Sequence, residues 1–304
     1  MTSYLYKIVA LGVFFSISIC CTASETEKTP TTISVGAIRD EIEGSAVRVL
    51  AKMGDAFAIN EQLQATIPSQ DASSGTFNIL SREVKIDASE KGKFGSATFR
   101  YGIQHYLIGL ESKTLPDGTV IRKSNGQMHV ITAHFGADTD RSTKNRDLLL
   151  EVGYVPVYIS QDETCWKLGV NPIIGISAQI GKRYRSTDPE YILTPGENSG
   201  GLRRVKAEGR LDFPLSCFGF SPGESSKSAA ELILADISRW KIQMRSVKWR
   251  DFSEAKNYTK HELVIRIPTG VKAGTYMDLR REIGASPIEF DTGAKFGINF
   301  TLEF

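Results

Sequence analysis

The sequence predicts an all-β fold, a closed antiparallel barrel of about twelve strands that crosses a membrane. From about residue 45 onward apolar side chains recur at every second position, which is the period of a β-strand. The runs are also long, whereas strands of globular sheets usually hold about five or six residues. A tilted strand needs roughly nine to eleven residues to cross a bilayer. The clearest run covers residues 166–180 and places apolar side chains on one face and polar ones on the other.

Composition removes several other classes of protein. The chain has 304 residues, of which 41% are hydrophobic and 24% charged, with a formal net charge of +2. These values exclude a disordered chain, and they exclude the strongly basic surface of a general nucleic-acid binder. After the first twenty or so residues no apolar run is long enough for a transmembrane helix. The composition does not exclude a transmembrane β-barrel, because alternating strands keep the average hydropathy of such a protein low.

The number of strands depends on the region 45–67. Runs at 45–54 and 56–67 complete a set of twelve alternating segments. However, Val47, Leu50, Gly54 and Phe57 also share one helical face. The alternative is therefore ten strands preceded by an N-terminal helix.

The links between the segments alternate in length. Tight links at 116–118, 161–164 and 268–270 fall on one side, and longer polar links fall on the other. Short turns at one end and long loops at the other are typical of membrane barrels.

The first residues predict export. Residues 1–23 have the charge of Lys7, an apolar core and the small-residue site Cys21-Thr22-Ala23, which is the pattern of a signal peptide. The mature chain then keeps Cys165 and Cys217, and two cysteines in an oxidising compartment predict a disulfide. The predicted hairpin of 166–184 and 202–220 brings both cysteines to its open end.

The C-terminal strand adds a resemblance. Phe296, Ile298, Phe300, Leu302 and Phe304 alternate with polar residues or glycine, and the sequence stops on the last aromatic residue. This resembles the closing strand of Gram-negative outer-membrane β-barrels, which is the insertion signal read by their assembly machinery. The resemblance implies an outer-membrane location, contact with outer-membrane lipids and termini in the periplasm. The predicted organisation is then a signal peptide (1–23), a periplasmic segment (24–44) and the barrel (45–304).

If the apolar faces contact lipid, the opposite faces line a lumen. The charged residues predicted to line it are Arg183, Lys206, Glu208, Arg210, Asp212, Lys241, Arg245, Arg266, Lys272 and Arg280. Two interpretations stay open: cross-strand ion pairs that brace a partly filled barrel, and a pore whose basic excess favours small anionic solutes. We favour a channel for passive solute permeation. No Gly-rich loop or Cys/His cluster predicts a cofactor or a metal site.

Two other functions are alternatives. The first is a lipid hydrolase of the membrane, for which His105, His129 and His134 are the candidate catalytic residues, since His134 shares a face with Thr132 and Asp138. No serine in a recognisable nucleophile setting accompanies them. The second is a soluble, exported β-sandwich with a binding role, which explains the apolar C-terminal strand less well.

Overall fold

A computed structural model of the chain describes the strands and several of the turns between them. The described residues are 31–40, 44–53, 76–89, 95–114, 116, 118, 120–140, 143–158, 171–188, 199–215, 240–269, 274–287 and 294–303. Within these ranges no helix has the length and apolar character needed to cross a bilayer.

The described residues form twelve antiparallel strands in one closed sheet. Each strand pairs with its neighbours in the chain, and β1 pairs with β12 to close the ring. In chain order the strands are β1 (Thr31–Asp40), β2 (Gly44–Met53), β3 (Thr76–Ser89), β4 (Gly95–Thr114), β5 (Val120–Asp140), β6 (Arg146–Tyr158), β7 (Asn171–Tyr184), β8 (Gly200–Pro214), β9 (Lys241–Asp251), β10 (Lys256–Pro268), β11 (Thr275–Gly284) and β12 (Ala294–Glu303).

The seam between β1 and β12 requires a residue without a side chain. Gly36 lies opposite Asn299 in the ladder. A Cβ atom at Gly36 would collide with the Asn299 side chain and with the carbonyl oxygen of Ile298. Glycine therefore lets the two strands approach closely enough to close the barrel.

The outer wall of the barrel is apolar. Large hydrophobic side chains at alternate positions are between 36% and 63% exposed, as in Ile174 and Ile176 on β7 and Phe300 on β12. The polar residues between them, such as Ser177 and Gln179, are buried. This arrangement is the reverse of a soluble sheet protein and is that of a barrel whose outer wall contacts hydrocarbon.

The N-terminal boundary of the barrel differs from the prediction. The barrel begins at Thr31, so the segment 24–44 is not wholly a periplasmic extension. The alternation of apolar and polar residues in this segment is short, because apolar Ile38 faces the interior and charged Arg39 faces outward. The sequence pattern therefore did not predict this strand. β2 pairs directly with β3, so the ring has no position for the strand predicted over 56–67, which lies outside the described residues.

The other two architectures considered from the sequence are wrong. Residues 44–53 form a strand instead of the N-terminal helix of the ten-strand alternative. A β-sandwich is excluded because a single sheet closes on itself.

The predicted asymmetry of the links is also wrong. We call the end where β1 begins and β12 ends the terminal end. The chain from Met53 to Thr76 and from Pro214 to Lys241 connects strands at this end, and these are its longest links.

At the terminal end of β4 to β7 the inner face of the wall is apolar and the outer face carries polar residues. Its interior holds buried apolar side chains that we call the inner apolar cluster: Tyr106, Met128, Val130, Val157 and Ile173. Polar His105 and His129 lie on the outer face of the same strands. The ladder between β4 and β5 is continuous at His105, and its register shifts only between Ile108 and Leu110. His105 therefore marks the place where the apolar outer band ends.

Candidate functional site in the barrel interior

The charged side chains of the strands contact one another inside the barrel. Several pairs join strands that are not neighbours in the sheet: Arg48 on β2 with Glu282 on β11, and Lys206 on β8 with Glu151 on β6. Such contacts are possible only across the concave inner side of the wall. The interior is therefore lined by ion pairs.

One group of these pairs, the Arg48 cluster (Arg48, Asp87 and Glu282), is completely dry. Arg48 donates two hydrogen bonds to Asp87, at 2.6 and 2.8 Å, and two to Glu282. The side chains of Arg48, Asp87 and Glu282 are 0%, 0% and 4% exposed. Lys85 and Lys260 approach the two carboxylates, at 3.2 Å from Asp87 and 2.9 Å from Glu282. The cluster ties β2 and β3 to β11 across the seam.

A second dry group lies at the end opposite the terminal end, on β6 to β9. This Arg204 cluster contains Asp147, Arg183, Arg185, Arg204 and Asp251. Arg204 donates to Asp147 (2.6 Å) and to Asp251 (2.8 Å), Arg185 donates to Asp147 (2.7 Å), and Arg183 pairs with Asp251. Every side chain in the cluster is at most 3% exposed. Charges that are this deeply buried are tolerated because each one is paired.

A chain of further pairs, the interior ion belt, crosses the barrel between these clusters. It runs from Asp138 through Arg100, Glu151, Lys206, Glu208, Arg245, Glu262 and Arg280 to Glu282. Its N–O separations range from 2.6 Å for Arg100–Asp138 to 3.8 Å for Arg245–Glu262. Since acid and base alternate along the belt, most of its charge is internally neutralised.

Water reaches some members of these pairs more than others. Among the interior ion pairs of the described residues, the most exposed side chains are Arg245 (40%), Lys256 (38%), Glu83 (36%), Lys52 (22%) and Lys206 (22%). Four of these five groups are cations. The charge that faces any internal water is therefore more basic than the interior as a whole.

The residues predicted from the sequence to line the lumen have the following positions. Arg183, Lys206, Glu208, Arg245 and Arg280 belong to the clusters and the belt just described. Arg210 pairs with Asp212 (2.9 Å) and Arg266 with Asp278 (2.9 Å), both toward the terminal end. Lys241 is the first residue of β9, opposite Arg266. Lys272 lies outside the described residues. A role of these residues in solute passage stays a prediction.

Sequence reasoning missed many of the counter-charges. Asp87, Asp138, Asp147, Asp251 and Glu262 all accept interior ion pairs, yet none was among the predicted lining residues. Strand periodicity could have placed Asp147 and Asp251, because each lies at the polar parity of its strand. The partners could not be derived, since they depend on which strands face each other across the barrel.

The three candidate histidines are divided between the two faces of the wall. His105 Nδ1 lies 2.7 Å from Asn78 Oδ1, and His129 Nδ1 lies 2.7 Å from the Tyr154 hydroxyl, both on the outer face. His134 faces the interior, where its Nε2 lies 2.5 Å from Ser81 Oγ. The structure therefore does not bring the three histidines together, and it adds a serine that the sequence did not point to.

Several other predicted features lie wholly or partly outside the described residues. Cys165 and Cys217, residues 1–23 and Phe304 are among them, so the disulfide and the signal peptide stay predictions. Phe296, Ile298, Phe300 and Leu302 are exposed on the outer face of β12. Among the described residues no group of three or more His, Cys, Asp or Glu side chains could hold a metal ion.

The architecture defines the class of protein. A closed barrel of twelve antiparallel strands, with an apolar outer wall and a charged interior, has the architecture of a transmembrane β-barrel. No protein-family model and no curated protein matches the sequence.

Solved structures of the same class match the fold. The NanC porin aligns with a TM-score of 0.41 at 7% identity, over 90% of this chain and 100% of that one. The KdgM porin in complex with disordered oligogalacturonate aligns with a TM-score of 0.40 at 7% identity, over 90% and 99%. The translocator domain of the autotransporter NalP from Neisseria meningitidis aligns with a TM-score of 0.34 at 10% identity, over 100% and 97%. These likenesses concern the fold alone.

Proposed function

We propose that the barrel is a channel for passive permeation of small solutes, with a mixed and slightly basic lumen that favours anions. The observation that carries the proposal is the difference in exposure between interior charges. Every charge in the dry clusters is paired, whereas among the water-exposed side chains the cations Arg245, Lys256, Lys206 and Lys52 outnumber the single acid Glu83. Charged side chains that line a pore select ions by the sign of their charge.

The ion belt also has a mechanical consequence for permeation. A twelve-stranded barrel lies between filled eight-stranded barrels and open sixteen-stranded porins. The belt and the dry clusters occupy part of the interior and hold its side chains in fixed positions. We therefore expect a narrow conductance that admits small solutes and rejects large ones.

The test is ion permeation through the purified mature protein in a planar bilayer. With a salt gradient across the membrane, we expect a reversal potential that shows anion preference. Arg245→Gln removes the most exposed interior cation and is expected to lower the anion-to-cation permeability ratio severalfold. The matched control is Arg39→Gln, because Arg39 is an exposed arginine that faces outward from β1.

Two results would contradict this proposal. A correctly inserted barrel that shows no conductance would refute the proposal that the protein is a channel. Cation preference in the unmodified protein, or an equal shift in Arg39→Gln, would remove the assigned role of Arg245.

Localisation and processing follow from the same proposal. We infer that residues 1–23 are removed on export and that the aromatic β12 is read by the outer-membrane assembly machinery. Cell fractionation should place the protein in the outer membrane, and the unheated protein should migrate differently from the heated protein on a gel. Replacing Phe300, which is 63% exposed on β12, should reduce insertion.

A second candidate function is hydrolysis, because Ser81 Oγ and His134 Nε2 are in contact at 2.5 Å. A serine beside a histidine base is the minimum of a nucleophilic pair. Both residues face the interior, so a membrane lipid cannot reach them and only a small ester inside the lumen could react. His105 and His129 lie on the outer face, and within the part of the chain that the structure describes their hydrogen-bond partners are Asn78 and Tyr154 and include no serine.

The hydrolysis candidate is tested with a small chromogenic ester and a serine-directed fluorophosphonate probe. Hydrolysis that is lost in Ser81→Ala and His134→Gln but kept in His129→Gln would support it. If the inserted protein neither hydrolyses the ester nor reacts with the probe, the hydrolysis hypothesis is refuted.

A further inference from the structure

The outer wall carries a group of cations at the end opposite the terminal end. Arg146, Lys182, Arg203, Lys248 and Arg250 occupy outward positions on β6 to β9 and are all exposed. Their parity is that of the lipid-facing side chains on the same strands, such as Ile180 on β7 and Val205 on β8. We call these five residues the basic rim.

The members of the basic rim are neighbours across the strands. Arg203 pairs with Ile180 in the ladder, and Val205 pairs with Arg250, so Arg203 and Arg250 are diagonal neighbours. At the other side of the rim, Arg146 and Lys182 both lie over the ring of Tyr184, at 4.8 and 5.3 Å from its centroid. Diagonal neighbours in an antiparallel pair are about 7–8 Å apart, within reach of one ligand for long side chains.

The charge of the basic rim is not balanced within the described wall. None of its five residues forms an ion pair with another described residue, and the outward positions of β6 to β10 contain no Asp or Glu. Arg250 instead donates to the Asn257 amide oxygen, at 3.0 Å. This contrasts with the interior, where cations are paired. An exposed cluster of cations at the edge of an apolar wall is complementary to an anionic membrane headgroup.

An apolar groove begins directly below the basic rim. Its volume is about 560 Å³, and its outward-facing lining includes Ile174, Gly209, Leu211, Met244, Ser246 and Leu263. Ser246 pairs with Gly209, and the next outward pair toward the rim is Lys248 with Ala207. Two residues of an antiparallel strand span about 6.8 Å, so the groove and the cations are contiguous.

The groove exists because one side chain is missing. Nothing lies within 4 Å of the position that a Cβ atom at Gly209 would take. Two neighbouring outward positions, Ala207 on the same strand and Ser246 opposite on β9, hold small side chains, and the larger Ile174 on β7 and Leu211 on β8 form apolar sides of the groove. At this depth in the outer wall the surroundings are hydrocarbon, so an acyl chain is the occupant that can reach the groove.

We propose that this surface binds one membrane lipid with a net negative phosphate headgroup. The phosphate lies on Lys182, Arg203, Lys248 and Arg250, and one acyl chain lies in the groove at Gly209. The long basic side chains extend along the apolar wall while their charged ends reach the headgroup level. Binding at this site requires membrane insertion but does not depend on whether the interior conducts solute.

The test is native mass spectrometry of the full mature protein in detergent with equal amounts of phosphatidylglycerol and phosphatidylcholine. We expect one phosphatidylglycerol to be retained in preference to phosphatidylcholine. Retention should fall about fivefold for each cation removed in Lys248→Gln and Arg250→Gln, because a basic residue at a membrane surface contributes about 1 kcal/mol. Gly209→Leu should also reduce retention, since its side chain would project into the groove and its Cβ atom would meet nothing within 4 Å.

Matched controls separate specific binding from general charge or apolar effects. Arg39→Gln removes an outward cation on β1, and Ala133→Leu enlarges an exposed outward side chain on β5. Both should leave retention unchanged, and all variants should keep the gel mobility of the folded barrel. Equal retention of the two lipids, equal losses in the controls, or retention unchanged in Gly209→Leu overturns the proposal. Complete displacement by inorganic phosphate would show a free-anion site and would also overturn it.

Discussion

Two strands of the barrel each carry a dry arginine and, closer to the terminal end, a wetter lysine. On β2 the arginine is Arg48, with no exposed side-chain surface, and the lysine is Lys52, which is 22% exposed and 3.7 Å from Glu83. On β8 the corresponding residues are Arg204, 1% exposed, and Lys206, 22% exposed. All four side chains are cationic and all four are paired.

The dry and the wetter pairs differ in whether water can stabilise the charge that remains when one partner is removed. A carboxylate that loses a fully buried partner keeps a charge that solvent cannot stabilise, which is costly. A partly exposed pair loses little, because water and salt already screen it. Breaking a dry pair is therefore the costlier change, whereas the wetter pairs are the ones that a passing ion would meet in the proposed channel.

The largest effect is expected for Arg48→Met. This change removes four hydrogen bonds and leaves buried Asp87 with Lys85, and buried Glu282 with Lys260 and the more distant Arg280 at 3.6 Å. We expect the free energy of unfolding to fall by about 3–5 kcal/mol, measured by urea unfolding in lipid vesicles. Lys52→Met on the same strand should cost about 0–1 kcal/mol. Equal losses in the two variants would contradict the division into dry and wet pairs.

An intermediate effect is expected for Arg204→Met. Arg204 makes two charged hydrogen bonds, and after its removal Asp147 keeps Arg185 while Asp251 keeps Arg183. The loss should be about 1.5–3 kcal/mol, the contribution of hydrogen bonds to charged groups. The same unfolding experiment measures it, with Lys206→Met as the control. A loss larger than that of Arg48→Met would mean that the remaining arginines do not compensate.

The smallest effect concerns salt. The Debye length falls from about 10 Å at 0.1 M to about 3 Å at 1 M ionic strength. Anion preference that depends on Arg245 and Lys206 should therefore weaken at high salt, whereas the unfolding cost of Arg48→Met should change little. Reversal potentials and unfolding curves at both concentrations test this. Selectivity that is independent of salt would indicate that it arises from a dry, unscreened constriction.

The terminal end of β4 to β7 shows where alternation can mislead. His105 follows Phe99, Tyr101 and Ile103 on the same face, and the sequence by itself leaves three explanations open: a bulge, a rim position or an error of register. The register is continuous, and the environment changes instead. Beyond the apolar outer band, Tyr106 and Met128 point into the barrel and are buried there. On the outer face His129 stacks on Tyr154, with ring centroids 5.9 Å apart. Tyrosine is favoured where one end of the ring is apolar and the other is wet.

The sequence by itself determined that the chain is all-β, that it forms about twelve strands, and that the face of Ile174, Ile176 and Phe300 is the apolar one. These properties follow from local periodicity, because a side chain on every second residue of a strand points to the same side. Only the tertiary structure decided that Thr31 begins the ring, that Asp87 and Glu282 share Arg48, and that Ser81 meets His134. Closure of the sheet brings together residues that are far apart in the chain, and no local pattern encodes which strands face each other across a barrel.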